Sequence, residues 1–103
     1  MTTERKQGHT PGQWNDYGGL GIMADGKRIA DVFSSAVGDK EARANARLIA
    51  ATPELLEAAK ASLEQLLFAE SLLNSMKGVP DNVKSPLLDA ISKLRAILSK
   101  AEA

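Results

Sequence analysis

The chain has 103 residues, with 44% apolar residues, 4% aromatics, no cysteine, and thirteen basic side chains balanced by thirteen acidic ones. That size fits one small domain. The charge balance argues against a nonspecific nucleic-acid binder, which carries a basic excess, and the lack of cysteine excludes a disulfide frame, a thiolate nucleophile and a cysteine-built zinc site.

The chain opens with the polar stretch MTTERKQG, which lacks the apolar segment of a signal peptide. No apolar run approaches the roughly 20 residues needed to cross a membrane. A cytoplasmic location is therefore expected. Residues 1–8 show no apolar periodicity and are expected to form a mobile tail. Residues 9–103 are expected to form a single domain, with a β portion over 9–33 and a helical portion over 39–103. With few aromatics, its core must be aliphatic. So small a chain buries a modest fraction of its surface, and pairing with a second copy would help it.

His9-Thr10-Pro11-Gly12-Gln13-Trp14 comes first. Pro11-Gly12 favours a turn, because proline fixes φ and glycine accepts a positive φ. The turn delivers Trp14, the only tryptophan. It suits either a core plug over the helices or a flat wall on which a base or ring stacks. His9, the only histidine, has no orienting carboxylate beside it and is expected to be a surface or turn residue without a catalytic role.

Asn15 to Gly21 reads as a loose connection, with Gly18, Gly19 and Gly21 around Tyr17. Its glycines lack the spacing and the Lys-Ser/Thr of a phosphate loop. Asp25-Gly26 between short apolar stretches is a strong hairpin signal of the type I′ kind. A two-residue turn would pair Ala24 with Lys27, Met23 with Arg28 and Ile22 with Ile29. A lone ribbon is marginally stable, so a third strand is expected near Trp14.

After a loop over Ser34–Gly38, Asp39 is expected to cap a helix from about Lys40 to Ala51. Ala42, Asn45 and Ile49 lie along one line of it. Arg43, Arg47 and Ala50 or Ala51 lie along another. Thr52-Pro53 reads as a break and restart, with Thr52 as N-cap and Pro53 as first helical residue. The second helix runs to about Lys77, with Gly78 as its C′ residue. Leu55, Leu56, Leu63, Leu66, Leu67, Leu72, Leu73 and Met76 spread around much of its circumference, which predicts contact on two sides. Ser85-Pro86 repeats the cap signal, and a third helix is expected from about Pro86 to Ala101, antiparallel to the second. Leu87, Ile91, Leu94 and Leu98 form its apolar stripe, widened by Leu88 and Ile97.

The expected class is thus α+β: a small N-terminal antiparallel sheet, a hairpin plus a third strand, packed on a C-terminal antiparallel helix pair preceded by a shorter helix broken at Pro53.

His9 to Trp14, then Asp25-Gly26, then Ala44 through Leu56 together resemble a widespread group of short phage and prophage proteins. Their pattern opens His-Thr-Pro-Gly-Pro-Trp and continues to Ala-Asn-Ala-Arg-Leu-Ile-Ala-Ala-x-Pro-Glu-Leu-Leu. The likeness covers roughly residues 9 to 60, and Gln13 departs from the usual proline. A β portion followed by two long helices is also similar to the Thoeris anti-defence sponge proteins of phages. Those assemble from dimers and sequester cyclic ADP-ribose-type signals, and some hold cyclic oligonucleotides, without cleaving them.

That resemblance implies a nucleotide immune signal as partner, a homo-oligomer, and ligand-binding roles for Trp14, Arg47 and Asn45. Trp14 would stack on a base, while Asn45 and Arg47 would contact ribose or phosphate. The residues themselves leave alternatives open. Asn45 suits a helix-packing amide bonded to the hairpin, and Arg47 a salt bridge to Glu41, Glu54 or Asp31. Asn45 and Arg47 stand about 200° apart on a helix and cannot share one face of it. No catalytic residue, metal ligand or cofactor is expected, nor a membrane, DNA or RNA partner. Three functions compete: a non-cleaving sponge in the host cytoplasm, a protein-interaction module that docks its helices on a host protein, and a nucleotide hydrolase. The last fits worst, because one histidine and no cysteine supply no metal set.

Overall fold

The computed structural model describes residues 8–17 and 19–102. The tail expected over residues 1–8 lies outside these, except for Gly8, as does Gly18 of the expected loop. The elements are β1 (Trp14–Asn15), β2 (Gly21–Ala24), β3 (Lys27–Asp31), α1 (Asp39–Ala50), α2 (Thr52–Ser75) and α3 (Asp81–Ala101). This is the expected α+β order, a three-stranded antiparallel sheet followed by helices. The chain divides into two compact units, one up to Leu55 and one from Leu56 onward.

In the first unit the strands lie in the order β1-β2-β3. Asp25 and Gly26 both take positive φ, 52° and 75°, as a type I′ turn requires. Ala24 pairs with Lys27 and Met23 with Arg28, as expected. The register then shifts: Ile22 faces Ala30, not Ile29, because a bulge leaves Ile29 as the extra residue. The third strand is β1, which sets Trp14 opposite Ala24 and Asn15 opposite Met23. Asn15 and Gly21 are therefore strand residues, and the connection between β1 and β2 is tighter than expected, with the Gly19 N–H donating to the Asp16 carbonyl at 2.9 Å.

This sheet packs on α1, whose Cα atoms come within 8 Å of β1 and β2. Such closeness needs small side chains at the contact, and α1 supplies Ala42 and Ala46, both 0% exposed. They stand four apart on one helical face. From the sheet come Ile22 and Ala24, two apart and so on one sheet face, also buried.

The starts of all three helices differ from expectation. Asp39 is the first residue of α1 rather than its cap; the cap position is Gly38, whose φ of 85° suits glycine and leaves no side-chain cap bond. Asp39 and Glu41 still complement the positive end of the helix, and Arg47 the negative end. Thr52 does not cap α2: its hydroxyl donates backward to the Leu48 carbonyl at 3.1 Å. Only Ala51 separates the two helices, and it remains near the helical region at φ −82°, ψ −4°. Pro53 therefore sits in a first turn, where its missing N–H has no partner to lose. The third difference is α3, which begins at Asp81 with Pro80 as N-cap, so Pro86 is inside the helix rather than at its start.

The second unit is a helical hairpin. Lys60 near the start of α2 meets Glu102 just past α3, and Leu73 and Asn74 near the end of α2 lie beside Leu87 and Leu88 near the start of α3. Those two meetings fix the antiparallel sense. Ile91 and Leu98 are buried, Leu87 and Leu94 half-buried, as the stripe predicted. Leu88 and Ile97, expected to widen it, are exposed. On α2 the leucines separate into two sets. Leu56, Leu63, Leu66, Leu67 and Leu73 are half-buried, whereas Leu55, Leu72 and Met76 are exposed, together with Phe68. α2 ends at Ser75, and Gly78, with φ 77°, is the third residue beyond it rather than the C′ residue.

Lys60 Nζ lies 2.6 Å from Glu102 Oε2 and 3.7 Å from Glu57 Oε2. The hydrogen bond to Glu102 raises the ammonium pKa above its ordinary 10.5, against a smaller lowering by desolvation and with further help from the charges of Glu102 and Glu57. A raised basic pKa stabilises the fold below the unfolded value, and that contribution is lost as pH rises through the folded one. Lys60→Met is therefore expected to lower the melting temperature at neutral pH, with the gap to the parent closing as pH climbs past 10.5. A variant melting with the parent at neutral pH would show that solvent screens the pair fully.

Candidate functional site

The first unit carries an open groove of about 370 Å³, lined by Gln13, Trp14, Asn15 and Asp16 on one side and by Arg47, Ala50, Ala51 and Glu54 on the other. Its helical wall has a simple origin. Residues 47, 50, 51 and 54 are spaced i, i+3, i+4, i+7, which is one face of a continuous helix. That face survives the α1–α2 junction because Ala51 stays helical and its carbonyl accepts the Leu55 N–H at 3.0 Å. The two alanines make a low floor between the Arg47 guanidinium and the Glu54 carboxylate.

The opposite wall is β1. Its pairing with β2 fixes the backbone of Trp14, and the half-buried indole is fixed by its own N–H, which donates to the Thr10 carbonyl at 3.0 Å. His9 holds the same ring from the side: its imidazole meets the indole edge-on, with centroids 6.2 Å apart and planes at 85°. His9 Nδ1 is 3.1 Å from the Thr10 carbonyl, and a carbonyl can only accept, so Nδ1 carries the proton. In the neutral ring Nε2 is then an acceptor, and it is buried without a partner among the described residues. His9 is thus a half-buried prop for Trp14 within the turn, a contact not expected of a surface or turn residue. The i, i+5 spacing across Pro11-Gly12 was the available signal, since that turn folds the two rings back on each other.

The structure brings two of the three expected ligand-binding residues together. Trp14 and Arg47 line the same groove. Asn45 does not line it and is exposed, with no side-chain hydrogen bond to the hairpin among the described residues. Arg47 is exposed, and none of the ion pairs expected for it, to Glu41, Glu54 or Asp31, occurs among the described residues. From the sequence Glu54 is expected only as an ion-pair partner for Arg47; its place in the groove depends on Ala51 staying near-helical across the α1–α2 junction.

A volume of about 370 Å³ falls within the roughly 300–1,000 Å³ range of small-molecule sites. Its chemistry is mixed: an aromatic ring for stacking, a guanidinium for a two-pronged contact with an oxyanion, and two carboxylates, Asp16 and Glu54, that accept from hydroxyl or amino groups. No group of three or more metal-ligating side chains occurs among the described residues.

Fold and groove together define a small α+β protein that sets an indole, a guanidinium and two carboxylates around one open cleft. It belongs to the family of Salmonella phage P22 protein Y8K6, whose sequence pattern matches residues 1–103, and it is a phage protein. No curated protein and no solved structure matches the chain. No helix among the described residues is long and apolar enough to cross a membrane.

Proposed function

We propose that this phage protein binds and sequesters, without cleaving it, a cyclic nucleotide immune signal of the cyclic ADP-ribose or cyclic oligonucleotide type, in the host cytoplasm. The observation that carries the reading is the meeting of Trp14 and Arg47 across one alanine-floored groove. A nucleotide offers each wall its complement. A base stacks on the indole, a phosphate takes the guanidinium, and a ribose hydroxyl or base amine takes Glu54. The carboxylate argues for a nucleotide over a bare polyphosphate, which it would repel.

The groove's side chains include two carboxylates, Asp16 and Glu54, so recovery of the ligand unaltered is the part of the test that separates sequestration from cleavage. The groove is open, so it covers only part of such a ligand. Firm retention asks for a further wall, which a second subunit would supply at or near this site.

Calorimetry of the folded, ligand-free protein against cyclic ADP-ribose isomers and cyclic di- and trinucleotides tests the proposal. Heat with one of them, and recovery of that compound unaltered, is the expected result. Absence of heat with all of them would overturn it in favour of the second reading, a protein-interaction module docking its helices on a host protein. That reading draws on the exposed Phe68 and Leu72 of α2.

A further inference from the structure

The side of α2 turned away from α3 carries a second stripe. Leu63, Leu67 and Glu70 are half-buried, and Glu70 lies beside α3. At about 100° per residue the opposite side of α2 carries Ala58, Ala61, Gln65, Phe68 and Leu72, with Met76 just beyond the helix end. These positions recur at 3, 4, 3 and 4 residues, the period of a helix-pairing seam. All are exposed: Phe68 by 63%, Leu72 by 50% and Met76 by 58%. The stripe contains no charge.

We propose that this stripe binds the same stripe of a second copy, with the two α2 helices antiparallel about a two-fold axis near Gln65–Phe68. The sequence of the stripe is polar in size: its first half is alanine and its second half is phenylalanine, leucine and methionine. In a parallel pair, large side chains would collide at one end and alanines would leave a gap at the other. In an antiparallel pair each alanine half receives the partner's large half, so small faces large along the whole seam. The ends follow the same rule. Glu57 stands in the first part of α2 and Lys77 just past its end, both exposed. Antiparallel copies bring that carboxylate toward the partner's Lys77, whereas parallel copies set like charges together. The helix dipoles also oppose only in the antiparallel sense. Such self-complementarity is what a two-fold contact between identical chains demands.

The seam spans about 27 Å, roughly 18 steps of about 1.5 Å from Ala58 to Met76. A single helix face of that length is small for a specific interface, so association is expected to be concentration-dependent. The inference concerns α2 alone and stands whether or not the groove binds a nucleotide.

Light scattering from micromolar to several hundred micromolar is expected to show a mass rising toward twice 11.0 kDa. Phe68→Glu and Ala61→Glu, both at exposed positions, should each weaken association by about tenfold or more with unchanged helix signal. The chain has no cysteine, so single cysteines mark the geometry. Gln65→Cys should cross-link to itself through a short bismaleimide. Ala58→Cys should not, but should cross-link to Leu72→Cys when the two are mixed. A monomer throughout, a host protein captured on the stripe without any dimer, an undiminished dimer in both glutamate variants, or Ala58→Cys self-linking as well as Gln65→Cys would each overturn the proposal.

Discussion

Ile22→Ala is expected to destabilise the first unit by about 2–5 kcal/mol, the usual cost of emptying a buried aliphatic site. Ile22 is the one large side chain with essentially no exposure among the described residues. Its companions in the sheet–helix contact are Ala24, Ala42 and Ala46, which have no longer side chains to swing into the space. Small domains hold about 5–15 kcal/mol in all. One substitution thus removes a large share of the stability that positions Trp14 against Arg47. Ile22→Val, which removes one methylene, should cost only about 0.5–1.5 kcal/mol. Urea unfolding, followed by tryptophan fluorescence for the first unit and far-ultraviolet dichroism for the helices, measures both. A loss below about 1 kcal/mol for the alanine variant would mean that the alanine-faced contact closes over the space.

Much of this fold is legible in local chemistry. Asp25-Gly26 named the hairpin because few other residues accept two successive positive φ angles. The register failed one step later, at Ile29. A bulge leaves no mark in a run where Ile29 and Ala30 are both apolar, so either could face Ile22. Proline marked one helix start and misled at another. Thr52-Pro53 does stand at the start of α2, with Ala51 alone between α1 and α2, whereas Ser85-Pro86 carries the residues of a helix start and yet α3 begins five residues before Pro86. Pro53 lies in a first turn, where no carbonyl waits for its N–H. Pro86 lies deeper and leaves the Asn82 carbonyl without its i→i−4 donor, a loss offset by the packing of Leu87, Ile91, Leu94 and Leu98 that continues through it.

The site was legible in part. Residue types and the phage-like motif marked Trp14 and Arg47. The 200° between Asn45 and Arg47 warned that one of them stood apart, and Asn45 is the one off the groove. Glu54 and the propping of Trp14 by His9 depended on how two turns bend the backbone, and that information lies in tertiary packing.

Arg47→Ala is expected to weaken nucleotide binding by about 1.5–3 kcal/mol, the worth of a hydrogen bond to a charged group, while leaving the fold intact. The guanidinium is exposed and makes no ion pair among the described residues, so its removal strips only a favourable charge from the end of α1, worth about 0.3–1 kcal/mol. Asn45→Ala provides the contrast. It lies two residues away on the same helix but off the groove, and should bind as the parent does. Equal losses from the two substitutions would mean that the ligand reads the outer face of α1 instead. Trp14→Ala removes both a stacking surface, worth about 1–3 kcal/mol per base, and a half-buried ring that His9 and the Thr10 carbonyl hold in place. Its binding loss should therefore exceed that of Arg47→Ala and come with a lower melting temperature. Trp14→Phe separates the two contributions. It keeps a ring face for the base but gives up the bond to Thr10, so it should recover most of the binding while recovering only part of the stability. If Trp14→Phe instead regains the melting temperature and not the binding, the indole N–H itself is a ligand contact, and the hydrogen bond to Thr10 must open when the nucleotide arrives.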